Sequence, residues 1–207
     1  MTLRWTWLGR VAYRDAAALQ EELRRRILDG DDAAETLLLL EHDPVITLGR
    51  SAREAHVLAR PDELAARGVA VERSTRGGDV TWHGPGQLVA YPVVRLRRGV
   101  VAHVEALAAA AVAVAAADGV RAEFRRDCPG VWAGAAKLAS IGVHVHRRVA
   151  VHGLALNVAT APDAFDLIVA CGLPGARATS LAALSGRARA PADVAPAFAD
   201  AFARAIG

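Results

Sequence analysis

Of the 25 basic residues in the chain, 24 are arginine and the remaining one is Lys137. Arginine stays protonated under working conditions, whereas a lysine whose pKa is brought down can give and take a proton. A single lysine kept in so arginine-rich a sequence therefore invites an acid/base role, with chance retention as the alternative. Cys171, the second of two cysteines after Cys128, supplies a matching nucleophile. A thiol attacks an acyl thioester only as its thiolate, and a nearby ammonium favours that form. The same lysine could then deprotonate an amine that receives the acyl group. The residue types alone leave Cys171 open between a nucleophile and an inert buried thiol.

A second concentration of chemistry lies in Arg76 to Pro92, RGGDVTWHGPGQLVAYP. Gly77-Gly78 and Gly84-Pro85-Gly86 allow positive φ and let the main chain approach a ligand without a Cβ in the way. Val80-Thr81-Trp82 and Leu88 to Tyr91 predict a strand on each side of the Gly-Pro-Gly turn. A Gly-rich hairpin would account for the glycines. Arg76, Asp79 and His83 within the same short stretch favour a substrate-lining loop.

This stretch resembles the signature of the lipoyl(octanoyl) transferases. Two further blocks extend the resemblance: KLASIGVHVHRRVAVHGLALNV, beginning at Lys137, and IVACGL around Cys171. The matches run from about Tyr13 to Leu181. The resemblance implies an α+β fold, with mixed sheets and flanking helices, like the catalytic domain of biotin and lipoate protein ligases. It also implies transfer of an octanoyl group from octanoyl-acyl carrier protein to the ε-amine of a lysine on lipoyl domains, the first step of endogenous protein lipoylation. The acceptors would be lipoyl domains of 2-oxoacid dehydrogenase complexes and the glycine cleavage H protein.

Carried onto matching positions, the resemblance makes Cys171 the nucleophile that forms an acyl-thioester and Lys137 its acid/base partner. The substrate site is implied at Arg76, Gly77, Gly78, Asp79, Val80, Thr81, Trp82 and His83, at Ser140, Ile141 and Gly142, and at Gly153, Leu154 and Ala155. Were Lys137 to supply only charge, the base would be His83, His152 or water. A thioester is already activated, so no nucleotide, cofactor or metal is implied. Two positions depart from the family pattern. Trp82 stands where a Tyr is usual, which removes a phenolic hydroxyl, and Ala170 replaces a Pro before the cysteine. An ATP-dependent lipoate or biotin ligase is the rival enzyme, but the chain has no GRGRRG-like stretch. A binding module without turnover is the non-catalytic rival.

The elements that must position these groups are legible in part. Leu3 to Leu8 alternates as a strand, and Tyr13 to Leu28 is a helix with Leu19, Leu23 and Ile27 in one stripe, ending at Gly30. Thr36–Leu40, Val45–Leu48 and Val69–Glu72 are predicted strands, and Asp62–Arg67 a short helix. Val101–Asp118 is a helix stopped by Gly119, with His103 and Glu105 taken as exposed or capping residues. Val143 to His146 and Val149 to Val158 form a hairpin about Arg147-Arg148. His144 and His146 share one face but lack a cysteine or carboxylate to complete a metal set, so they are taken as exposed. Thr179-Ser180 caps a helix over Leu181 to Leu184, and a last helix from Pro191 carries Val194, Phe198, Phe202 and Ile206 as a packing stripe.

Composition limits the partners. The net charge of +3 comes from arginines spread along the chain, with no nucleic-acid-binding motif, and would suit an acidic protein partner. The longest uncharged apolar run, Ala106–Ala117, is 12 residues, short of the roughly 18 that a spanning helix needs. With no signal-like N-terminus and no disulfide framework, the chain is expected to be one catalytic domain over 1–207 in the cytoplasm, with no membrane or nucleic-acid partner.

Overall fold

The computed structural model describes residues 3–169 and 177–207. Its centre is a large mixed sheet whose strands follow the spatial order β1 (Arg4–Val11), β2 (Thr36–His42), β6 (Gln87–Arg95), β10 (Val149–Asn157), β9 (Ala136–His146), β8 (Gly130–Ala133) and β7 (Glu123–Arg125). A short β11 (Arg177–Ala178) adds to β9 in parallel. β1 and β2 are also parallel, so α1 (Tyr13–Leu28) crosses between them, while every other neighbouring pair along the path is antiparallel. A second sheet contains β3 (Val45–Leu48) between β4 (Ala70–Arg73) and β5 (Val80–His83), with α2 (Pro61–Ala66) preceding β4.

Period-two alternation separates two layers of core across the large sheet. Leu37, Leu39, Leu88, Ala90, Leu154 and Leu156 face α3 (Gly99–Ala117) and α5 (Pro191–Ile206). The intervening Leu38, Leu40, Val89, Tyr91, Val93 and Ala155 pack with Ala16, Leu23 and Ile27 of α1. Strands covered on both faces need apolar residues at successive positions, which explains the unbroken runs in β2 and β6.

The predicted strands and helices are present with ends displaced by a few residues, except that the strand read from Val143 begins at Ala136. α4 (Leu181–Ser185) starts as read, with Ser180 Oγ accepting from Ala183 N–H. The stripe of α1 needs correction. Leu19 is 37% exposed, and its place is taken by Gln20, which is 1% exposed. Burial of that amide is tolerated because its Oε1 accepts from His152 N–H at 2.7 Å and its Nε2 donates to the Ala16 carbonyl at 3.2 Å.

His103 is neither exposed nor a cap. It is buried against Phe202, with ring centroids 5.9 Å apart, and burial brings its pKa down to about 4. The half-buried Glu105 pairs with Arg126. α3 spans 19 residues with a mean hydropathy of 2.0, so it exceeds the apolar run read from sequence and reaches membrane-crossing length. Here it packs on α5 and the sheet through Leu107, Ala110, Ala111 and Val114.

Candidate active site

A cavity of about 390 Å³ opens where the glycine-rich segment before β5 meets β9, β10 and the start of α1. Arg76 to Thr81 and His83, Ser140 to Gly142, and Gly153 to Ala155 all line it, together with Lys137. Thus three stretches far apart in sequence converge on one space. Of the residues carried over, Trp82 stands outside the lining and Cys171 lies outside the described residues, as does Ala170.

Trp82 stands outside this lining for a simple reason. Successive residues of a strand point to opposite faces, so Thr81 and His83 reach the cavity while Trp82 packs into the cluster of Ile46, Leu64, Leu167 and Ile168. Its ring meets Phe165 edge-on at 5.7 Å. The side chain at position 82 therefore belongs to this core.

The loop from Arg76 to Asp79 is held by both main chain and side chains. Arg50 N–H donates to the Arg76 carbonyl at 3.0 Å and Ser51 N–H to Gly78 at 3.1 Å, while Gly77 N–H donates to Val143 on β9 at 3.0 Å. Close approach at both flanks requires glycine. A Cβ on Gly49 would stand 2.3 Å from the Gly78 carbonyl oxygen, and one on Gly142 would stand 2.9 Å from that of Gly77. The buried guanidinium of Arg76 donates to the Thr47 carbonyl and hydroxyl at 2.6 and 2.8 Å, and to the Gly77 carbonyl at 3.0 Å. Asp79 accepts from Val80 N–H at 2.8 Å and lies 2.5 Å from His56 Nδ1. Arg76 and Asp79 thus also shape the loop in which they stand.

Buried imidazoles cluster here: His83 and His152 line the cavity, and His42 meets the rings of His83 and Tyr91 at 5.7 and 5.8 Å. His42 Nδ1 donates to the Val11 carbonyl at 2.8 Å, so its Nε2 accepts from the Tyr91 hydroxyl at 2.8 Å. His83 Nδ1 donates to Gln87 Oε1 at 2.7 Å, and Gln87 Nε2 continues to Asn157 Oδ1 at 2.9 Å. Burial is the main cause that brings His42 down to about 4, His152 to about 3 and His83 well below its ordinary 6.5. The same cause raises Tyr13 and Tyr91. Tyr13, Tyr91 and His152 line the cavity but were not among the carried-over residues. For Tyr91 the available signal was its place inside the glycine-rich motif.

His152 also carries backbone strain. Its φ is +60°, in the left-handed region where side chains are disfavoured. Here β10 breaks its ladder with β6 between Ala150 and Leu154, opposite Pro92, which has no N–H to give. The His152 N–H turns to Gln20 on α1, and its Nε2 lies 2.9 Å from Thr75 Oγ1. Gly153 follows, where a Cβ would stand 2.1 Å from the Ala90 carbonyl oxygen. His144, taken as exposed from sequence, is half-buried beside this region, and burial lowers its pKa.

Lys137 is 6% exposed and reaches the cavity through an irregularity in the sheet. β8 and β9 pair as Gly130 with Ser140, Val131 with Ala139 and then Trp132 with Lys137, so Leu138 is an extra residue. Three-residue spacing would place Lys137 and Ser140 on opposite faces of a regular strand. The bulge restores them to one side. The Lys137 Nζ lies 5.3 Å from the centroid of the Trp132 ring. Cys128 also lines the cavity and is a half-exposed free thiol. No group of three His, Cys, Asp or Glu residues suited to a metal ion occurs among the described residues.

Residues 12–203 match the lipoyl protein ligase A/B catalytic domain. An octanoyltransferase from Chloroflexus aurantiacus is 48% identical over 200 residues, covering 94% of this chain and 89% of its own. Among solved structures, a lipoate-protein ligase A bound with ATP superposes with a TM-score of 0.81 at 18% identity, covering 99% of this chain and 85% of that one. A biotin protein ligase from Aquifex aeolicus, with biotin and ATP, gives a TM-score of 0.58 at 13% identity over 98% of this chain and 70% of that one. These two likenesses bear out the expected α+β fold.

Proposed function

The chain belongs to the lipoyl protein ligase A/B catalytic-domain family, and from that premise we propose that its reaction runs in two steps through Cys171. It is an octanoyltransferase of protein lipoylation. In the first step the Cys171 thiolate attacks the thioester carbonyl of octanoyl-acyl carrier protein and expels the carrier thiolate, leaving an acyl-thioester on the enzyme. In the second, the ε-amine of a lipoyl-domain lysine attacks that thioester, releases the Cys171 thiolate and forms an amide. Lys137 assists the first step as an ammonium beside the thiolate and gives its proton to the departing carrier thiolate; as the neutral amine it then takes a proton from the incoming lysine in the second step. The acceptors are lipoyl domains of 2-oxoacid dehydrogenase complexes and the glycine cleavage H protein. We read 1–207 as a single catalytic domain working in the cytoplasm.

The observation that carries this reading is the placement of the chain on both sides of residues 170–176. On one side, Val169 N–H donates to the His56 carbonyl at 2.8 Å, and the same His56 pairs through its ring with Asp79 of the glycine loop. On the other, Ala178 pairs with Lys137 in β11 and β9. The chain therefore enters beside the glycine loop and leaves beside the lysine.

Incubation with octanoyl-carrier thioester followed by intact-mass measurement tests the reading. One octanoyl adduct should form on the parent and on Cys128→Ser, and should be absent from Cys171→Ser. An adduct mapped to Cys128 would overturn the assignment. Turnover should persist after chelation and nucleotide depletion, and its loss would favour an ATP-dependent ligase.

A further inference from the structure

From the packing around the lysine, we infer that Trp132 is a positioning residue that holds and orients the Lys137 ammonium. This rests on Lys137 acting as the acid/base group in the transfer proposed above.

Three contacts confine a side chain that would otherwise be flexible. The bulge at Leu138 turns Lys137 to face Trp132 across β8 and β9. Its Nζ stands 5.3 Å from the ring centroid, within cation–π range, and the ring is 4% exposed, so little water competes for the charge. The stem of the lysine lies across Gly130. A Cβ there would stand 2.5 Å from Lys137 Cε and 2.6 Å from the Ala139 carbonyl oxygen. Gly130 and Trp132, two residues apart on β8, thus form a groove for the stem and a face for the head.

The ring is itself pinned. Its Nε1 donates to the Cys128 carbonyl at 3.0 Å, which ties it to the cavity wall. The Arg125 guanidinium carbon also stands 5.3 Å from the ring centroid. Arg125 is fixed in turn by the Glu123 carboxylate at 3.0 Å and the Gly134 carbonyl at 2.8 Å. A ring held at both its nitrogen and its face can position a cation. Trp132 therefore sets where the Lys137 head group stands in the cavity.

A double-mutant cycle separates this role from plain packing. Single-turnover transfer from the octanoyl-enzyme to a lipoyl domain is measured for the parent, Trp132→Leu, Trp132→Phe, Lys137→Ala and the double variant Trp132→Leu/Lys137→Ala. Folding of each is checked by thermal melting. Trp132→Leu should slow transfer roughly 10- to 30-fold, the worth of a desolvated cation–π contact. Trp132→Phe, which keeps an aromatic face, should recover most of the rate. In the Lys137→Ala background the Trp132 substitution should change nothing further. Equal losses in both backgrounds, or a folded Trp132→Leu with the parental rate, would overturn the inference. A parental rate in Lys137→Ala would instead overturn the reading of the lysine and this inference with it. If Trp132→Leu does not fold, a tetrafluorinated tryptophan at position 132 keeps the shape and removes the negative face. A slower transfer supports the inference and an unchanged rate overturns it.

Discussion

Lowering the pH from 7 to 5 should unfold this protein through its buried histidines, well before its carboxylates are protonated. His42 and His103 are held near 4 and His152 near 3, each chiefly by burial, against an ordinary value of 6.5. A histidine depressed by folding stays neutral in the native state while the unfolded chain takes up a proton. Its stabilisation is complete above 6.5 and is lost as the pH falls toward the folded value. At pH 5 the gap from 6.5 is worth about 2 kcal/mol per histidine, hence about 6 kcal/mol for these residues together. His83 adds to this in the same direction. A loss of that size is comparable with the whole stability of many domains. Glu22 and Asp31 are depressed by arginine partners, so what they contribute is lost only as the pH falls below the carboxylate range.

Urea unfolding at half-unit steps between pH 7 and pH 5 provides the assay. The unfolding free energy should fall with a slope of at least about 4 kcal/mol per pH unit, the uptake of about three protons by His42, His103 and His152, to which His83 adds. His103→Leu isolates one contribution. Its Nε2 is buried without a hydrogen-bond partner among the described residues, so the variant should be at least as stable at pH 7 and lose about one proton's share of the slope, about 1.4 kcal/mol per pH unit. A stability constant within about 1 kcal/mol from pH 7 to pH 5, or an unchanged slope in His103→Leu, would refute the reasoning.

Under the proposed mechanism, Lys137→Arg keeps a positive charge but removes the base, so acyl-enzyme should accumulate while transfer to the amine falls roughly 10²- to 10⁴-fold in single-turnover kinetics. Gly153→Ala places a Cβ 2.1 Å from the Ala90 carbonyl oxygen in the centre of the sheet. It should cost about 3 kcal/mol in chemical denaturation, since the opposing atom is backbone and cannot swing away. Gly142→Ala presses on the Gly77 carbonyl and on Arg76 Cδ, at 2.9 and 3.2 Å. It should raise KM for the acyl donor more than it lowers melting temperature, because the displaced atoms belong to the cavity loop.

Much of the fold was legible because the elements announce themselves locally. The apolar runs of β2 and β6, the Ser180 cap and the aromatic stripe of α5 each follow from a few adjacent residues. The candidate site was legible where glycine, arginine and histidine cluster in one motif. The rest depends on pairings that no local pattern carries. Leu138 becomes an extra residue only once β8 lies beside β9, so the facing of Lys137 and Trp132 could not be read from their spacing. Gln20 displaces Leu19 from the core because a strained His152 N–H, opposite Pro92, needs an acceptor from α1. His103 was misread for a related reason. A polar residue near a helix start resembles a cap until α5 is seen to cover it.

The surroundings of the imidazoles bear on the base role proposed for Lys137. Any base other than Lys137 would have to come from His83, His152 or water, yet each imidazole is already committed. The His83 Nδ1–H is spent on Gln87 and its Nε2 faces the Thr47 hydroxyl at 3.4 Å, while Thr47 in turn receives the Arg76 guanidinium. Protonating His83 would place a second charge near that guanidinium, and Arg76 is among the causes that depress it. His152 is depressed by the same arginine after burial. Both would remain weak bases at neutral pH, since proton affinity falls with the pKa. Arg76 thus has two consequences: it holds the glycine loop against β3, and it adds to burial in disfavouring the charged form of the neighbouring imidazoles. Replacing Arg76 with Gln should release both together, loosening the loop and raising the pKa of His152, which histidine NMR titration would read directly. An unchanged His152 titration in Arg76→Gln would show that burial alone sets it, and the argument against a histidine base would then rest on desolvation without help from charge.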